Sequence, residues 1–71
     1  MSRKLVTPGD FIHNRRREIG ITKGETARML GLSDGEWRQI ERDSRRPADA
    51  TLASIARVLR VDPAALARRY P

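Results

Sequence analysis

The amino-acid sequence predicts an all-α fold, a single compact domain of five short helices with a very tight turn between the second and the third. Three observations carry that expectation. Thr22 with Glu25, and Ser33 with Glu36, are Ser/Thr-x-x-Glu pairs in which each side chain can satisfy the other's backbone N–H, the mark of a helix start. Glycines follow the first two apolar stretches at Gly20 and Gly31, where helices end. Leu52, Ile55, Ala56 and Leu59 fall at i, i+3, i+4 and i+7, the spacing of one helical face. No strand-like alternation, internal repeat or low-complexity tract interrupts the pattern.

The first helix opens at Thr7-Pro8-Gly9-Asp10. Thr7 is its N-cap, Pro8 stands at a position whose missing N–H costs nothing, and Asp10 lies on the positive end of the dipole. It runs to about Ile19, with Ile12 and Ile19 inward, Phe11 beside them, and His13, Asn14, Arg15 and Arg17 on the surface. The second helix covers Lys23 to Leu30. Only Gly31-Leu32-Ser33 separates it from the third, which spans about residues 34–42. A helix pair joined through so short a glycine-containing turn is a helix-turn-helix, the unit that presents its second helix to the DNA major groove. The polar stretch Asp43 to Pro47 reads as a loop that buries nothing. The periodic fourth helix follows, and Asp62-Pro63 opens a fifth whose C-terminal end carries Arg68 and Arg69. Residues 1–6 are expected to form a flexible arm and 7–71 the domain.

Seventy-one residues support one modest core, and the absence of cysteine leaves no disulfide or thiolate metal site to staple it. The N-terminal residues lack the apolar run of a signal peptide, and no stretch reaches membrane-spanning length, so a cytoplasmic location is expected. Fifteen Lys and Arg against nine Asp and Glu give a formal charge of +6. Such a charge draws a protein to polyanions and equally keeps a small domain soluble.

Three segments together resemble the lambda-repressor-like helix-turn-helix class, also called the Cro and C-repressor or XRE type. They are Thr22-Lys23-Gly24-Glu25-Thr26-Ala27 with Leu30-Gly31-Leu32-Ser33, Ile40-Glu41 with Arg46-Pro47, and Thr51-Leu52, Ile55-Ala56, Leu59 and Val61 through Leu66. The resemblance implies a five-helix domain and a buried ion pair between Arg16 and Glu41. Arg16 lies on the core-facing side of the first helix, where an unpaired charge would cost about 3–5 kcal/mol. It also implies a homodimer on a two-fold operator, for which Leu66, Val61 and Tyr70 are candidate contacts, the alternative being that Leu66 and Val61 complete the core.

In that architecture the N-terminal half of the third helix enters the groove. Asp34, Gly35, Arg38 and Gln39 are the candidate base contacts: Gln39 suits adenine, Arg38 guanine or phosphate, and Asp34 a cytosine amino group. Trp37 and Ile40 face the core. Lys23, Ser33, Arg42, Ser44, Arg45 and Arg46 are the candidate phosphate contacts, with Arg3 and Lys4 adding to the grip. Six neutralised phosphates would give a log–log salt slope near −5, at about −0.9 each. Two features cut against this: Asp34 and Glu36 set negative charge on the end that should approach DNA, and Asp43 replaces the glycine the class usually has at the helix exit.

The reading that follows is a sequence-specific regulator of double-stranded DNA, a repressor of phage, plasmid or mobile-element type. It calls for no cofactor, metal or small-molecule ligand. One histidine, no cysteine and no glycine-rich phosphate loop leave no catalytic set. Missing aromatic platforms argue against single-stranded RNA. The rival from another class is a protein-interaction module, such as a toxin-binding antitoxin or a polymerase-binding protein.

Overall fold

The computed structural model describes residues 6–70. Five helices follow one another: α1 (Pro8–Ile19), α2 (Lys23–Leu30), α3 (Asp34–Glu41), α4 (Asp49–Leu59) and α5 (Pro63–Arg68). No strand occurs among the described residues. The expected arm, including Arg3 and Lys4, falls mostly outside them; Val6, its last residue, is exposed.

Three consecutive helices open with a full reciprocal capping box. Thr22 and Ser33 accept from the N–H of Glu25 and Glu36, and those glutamates accept from the N–H of Thr22 and Ser33 at 3.0 Å each. Thr7 and Asp10 do the same at the head of α1, with the shorter aspartate reaching the Thr7 N–H at 3.4 Å. Gly20 and Gly31 close α1 and α2 in left-handed conformation, at φ 80° and 69°, which costs glycine nothing because it has no Cβ. The tight turn after Gly31 thus folds from local rules alone. α5 is capped by the Asp62 carboxylate; α4 begins at Ala48 with no side-chain cap.

Ile12, Ala27, Trp37, Ile40, Leu52, Ile55, Ala56, Leu59 and Leu66 form one core to which every helix contributes. α3 packs on α1 and α2, and α4 on α1, α2 and α5. The recognition-type helix therefore rests on two supports at once.

The packing decides one alternative and corrects three expectations. Leu66 is 1 % exposed and closes the core beneath α5, so it offers no surface to a second copy; Val61 and Tyr70 are half-buried against the same core. Arg15 does not point outward: its Nε donates to the Leu59 carbonyl at 2.9 Å, capping the C-terminal end of α4 where carbonyls lack partners. The loop is not free of burial, since Pro47 is buried. The third helix ends at Glu41, with Arg42 as its C-cap.

Candidate nucleic-acid interface

α3 divides cleanly by exposure. Trp37, Ile40 and Glu41 are buried, whereas Ser33, Asp34, Gly35, Arg38, Gln39 and Arg42 are exposed. At 3.6 residues per turn Gly35, Arg38, Gln39 and Arg42 lie away from the buried side, while Ser33 and Asp34 are exposed because they stand at the helix's open N-terminal end. The four candidate base contacts Asp34, Gly35, Arg38 and Gln39 are all solvent-facing, and among the described residues none of their side chains makes a hydrogen bond.

The buried side of α3 is anchored through Glu41. Its Oε2 accepts from Arg16 Nε at 2.7 Å and from Trp37 Nε1 at 2.9 Å, and its Oε1 lies 3.0 Å from His13 Nδ1. Arg16 spends a second nitrogen on the Ile21 carbonyl at 2.8 Å, tying the same node to the α1–α2 junction. Burial raises the Glu41 pKa, and the hydrogen bonds from Arg16 and His13 outweigh it, so the carboxyl is held below its usual 4.5. The implied ion pair is present. His13, expected at the surface, is half-buried because the Glu41 carboxylate draws its ring inward.

The acidic first turn is partly answered by the fold. Glu36 gives one carboxylate oxygen to the Ser33 N–H and presents the other to Arg45 at 3.4 Å. The Ser33 backbone and hydroxyl, with the nearby Arg45, hold the Glu36 carboxyl below its usual 4.5. Its charge is thereby spent inside the protein, and Asp34 is the acid left facing outward. The Arg45–Glu36 pair is solvent-exposed, and such a pair contributes little, so it does not fix Arg45 in place.

Lys23 is exposed at the first position of α2, and Ser44, Arg45 and Arg46 are exposed in the loop after α3. Arg46 lies over the Tyr70 ring at 5.6 Å from its centroid and 3.7 Å from Asp49. Both ends of α3 are thus flanked by cations. Asp43, the loop's first residue, does adopt the left-handed conformation, at φ 61°. Its Oδ1 accepts from the Gly9 N–H at 2.8 Å, docking the N-terminus of α1 on the exit of α3. A Cβ on Gly9 would collide with the Glu41 carbonyl oxygen, so the approach demands glycine.

The aromatic residues are engaged elsewhere. Trp37 has no exposed surface, and the guanidinium of Arg69 covers the Phe11 ring at 3.7 Å. None presents a stacking platform for unpaired bases. Among the described residues no cluster of three or more His, Asp or Glu has the grouping of a metal site, and no helix is long and apolar enough to cross a membrane.

The short turn, the two-sided α3 and the flanking cations agree with a comparison against known families, in which the profile described as a helix-turn-helix domain matches residues 9–68. The chain belongs to the helix-turn-helix domain family. Its five helices fit the lambda-repressor-like class within that family, whose members are typically DNA-binding regulators rather than enzymes. No curated protein and no solved structure matches the chain. The match spans all five helices, so the helix-turn-helix and its support form one unit.

Proposed function

We propose that the domain is a sequence-specific, double-stranded-DNA-binding transcriptional regulator, a repressor of phage, plasmid or mobile-element type acting as a homodimer, that sets α3 in the major groove. The observation that carries this is the solvent face of α3: among the described residues Arg38 and Gln39 make no side-chain hydrogen bond, with Lys23 and Arg42 beside Arg38 in one cleft and Arg45 near the start of the helix. Arg38 and Gln39 read bases; Gly35 lets the helix backbone approach closely; Asp34 accepts from a cytosine amino group. Lys23, Ser33, Arg42, Ser44, Arg45 and Arg46 hold phosphates and set the register. Two copies would read half-sites about 34 Å apart, one turn of B-DNA.

The test is fluorescence anisotropy at physiological salt, comparing the duplex upstream of the protein's own gene with a shuffled duplex of equal composition. A specific regulator prefers its site by about three orders of magnitude or more. Equal binding, or none, removes the reading. The outward carboxylate of Asp34 then favours the second reading, a protein-interaction module of antitoxin or polymerase-binding type.

A further inference from the structure

We propose that His13 is a ligand for one DNA backbone phosphate and that it takes up a proton to become one. The inference rests on the DNA-binding reading above and adds a residue of α1 to a surface otherwise built from α2, α3 and the loop.

His13 opens onto a cleft of about 250 Å³ lined by Asp10 of α1, Lys23 of α2, Arg38 and Glu41 of α3, and Arg42 at its cap. The cleft lies where the first residue of α2 and the outward face of α3 meet, and three of its lining residues, Lys23, Arg38 and Arg42, are candidate DNA contacts. The ring's internal nitrogen is committed: Nδ1 lies 3.0 Å from Glu41 Oε1. An ionised carboxylate only accepts, so the hydrogen sits on Nδ1. Arg16 Nη2, also only a donor, approaches the same Nδ1 at the longer distance of 3.3 Å because both residues converge on Glu41.

The chemistry of the other nitrogen follows. With Nδ1 protonated, the Nε2 of a neutral ring is a bare lone pair. Nε2 has no hydrogen-bond partner among the described residues, and the side chain is 34 % exposed. A phosphodiester presents acceptor oxygens alone, so a neutral ring meets it lone pair to lone pair. A proton added at Nε2 turns the repulsion into a charge-assisted hydrogen bond, with Nδ1–H donating to Glu41 and Nε2–H to the phosphate.

The charged groups that face the ring come from three helices. Around the cleft stand Asp10 and Arg16 from α1, Lys23 from α2, and Arg38, Glu41 and Arg42 from α3 and its cap. Four cations face two acids, so an anionic phosphate is drawn to the cleft onto which Nε2 opens. Only the doubly protonated ring can donate to that phosphate while keeping its bond to Glu41, so proton uptake and DNA binding are linked.

The experiment uses a mixed-sequence duplex of about 20 base pairs, because a phosphate contact does not depend on sequence. Affinity is measured at constant ionic strength at about pH 5.5 and about pH 7.5, with calorimetry in buffers of different ionisation enthalpy to count protons. The wild type is expected to bind about three- to tenfold more tightly at the lower pH, with uptake of up to about one proton. H13N keeps a donor for Glu41 but lacks the outer nitrogen. It should be flat with pH and, in acid, lower the magnitude of the salt slope by about 0.9. H13K should bind tightly at both pH values, and it carries the test should circular dichroism show H13N unfolded. A pH-independent wild type, or an H13N variant that keeps the wild-type pH dependence, overturns the role of His13 and leaves the DNA reading standing. A wild type that binds no duplex at any pH sinks both.

Discussion

Truncating Glu41 to alanine should come close to unfolding the domain. Three donors converge on that carboxylate: Arg16 Nε at 2.7 Å, Trp37 Nε1 at 2.9 Å and His13 Nδ1 at 3.0 Å. Removal leaves a buried guanidinium without its counter-charge and a buried indole N–H without an acceptor. Breaking such a pair costs about 3–5 kcal/mol. A domain of 71 residues has a total stability of about 4–10 kcal/mol, at roughly 0.05–0.15 per residue. With a urea slope near 1 kcal/mol/M for so small a chain, the E41A midpoint should fall by about 3–5 M. E41Q keeps a neutral acceptor for Arg16 and Trp37 and should lose about half as much. Urea unfolding followed by the fluorescence of Trp37, the sole tryptophan, with far-ultraviolet circular dichroism as a second probe, reads both variants. An E41A loss within about 0.5 kcal/mol, the range of ordinary surface substitutions, would refute the reasoning. The same carboxyl sets an acid limit. Its folded pKa lies below the usual 4.5, so its contribution is complete above that value and is lost as pH falls through the folded pKa. The wild type should lose stability in acid below about pH 4.5, and E41Q should show a shallower decline.

Two non-glycine residues adopt left-handed backbone, and their replacement by glycine should have opposite signs. Arg60, at φ 58°, ends α4 with no bond from its own side chain, so R60G should raise stability by about 0.5–1 kcal/mol. D43G gains similar relief but forfeits the charge-assisted bond to the Gly9 N–H, worth about 1.5–3 kcal/mol, and should be net destabilising; paired thermal melts decide both. G9A forces a methyl into the Glu41 carbonyl and should cost about 1–3 kcal/mol in the same melts. In DNA titrations R38A and Q39A should each cost about 1–3 kcal/mol on the preferred site and relax discrimination at one position. K23A should instead weaken all duplexes alike and reduce the salt slope by about 0.9.

What the sequence disclosed and what it hid divide by range. Thr22 with Glu25, Ser33 with Glu36, the terminal glycines and the α4 periodicity act within one turn of chain, so their consequences can be read without knowing the fold. The separation of Trp37 and Ile40 from Arg38 and Gln39 follows from the same helical repeat. The ties that aim α3 are long-range. Asp43 reaches Gly9, Arg15 reaches the end of α4, and His13 turns in toward Glu41, each across dozens of residues with no spacing rule to announce it. Arg15 and His13 looked like solvent-facing residues because polar side chains on an amphipathic helix usually are, and only the packed neighbours supply the acceptors. The Arg16–Glu41 pair was foreseen through resemblance and the cost of a lone buried charge. Whether Leu66 completes the core or faces a second copy stayed open in the sequence because a six-residue α5 is too short to show which face it buries.

The division of labour along α3 bears on how such a domain acquires new targets. Its pose is held from beneath by Glu41, Trp37 and Ile40, and its start by the Ser33–Glu36 box, while Asp34, Gly35, Arg38 and Gln39 make no side-chain bond to the body of the protein. Substitution at those four positions leaves the anchoring bonds intact. If those positions read DNA as proposed, binding preference can be rewritten there while the chain's foldedness is carried forward unchanged.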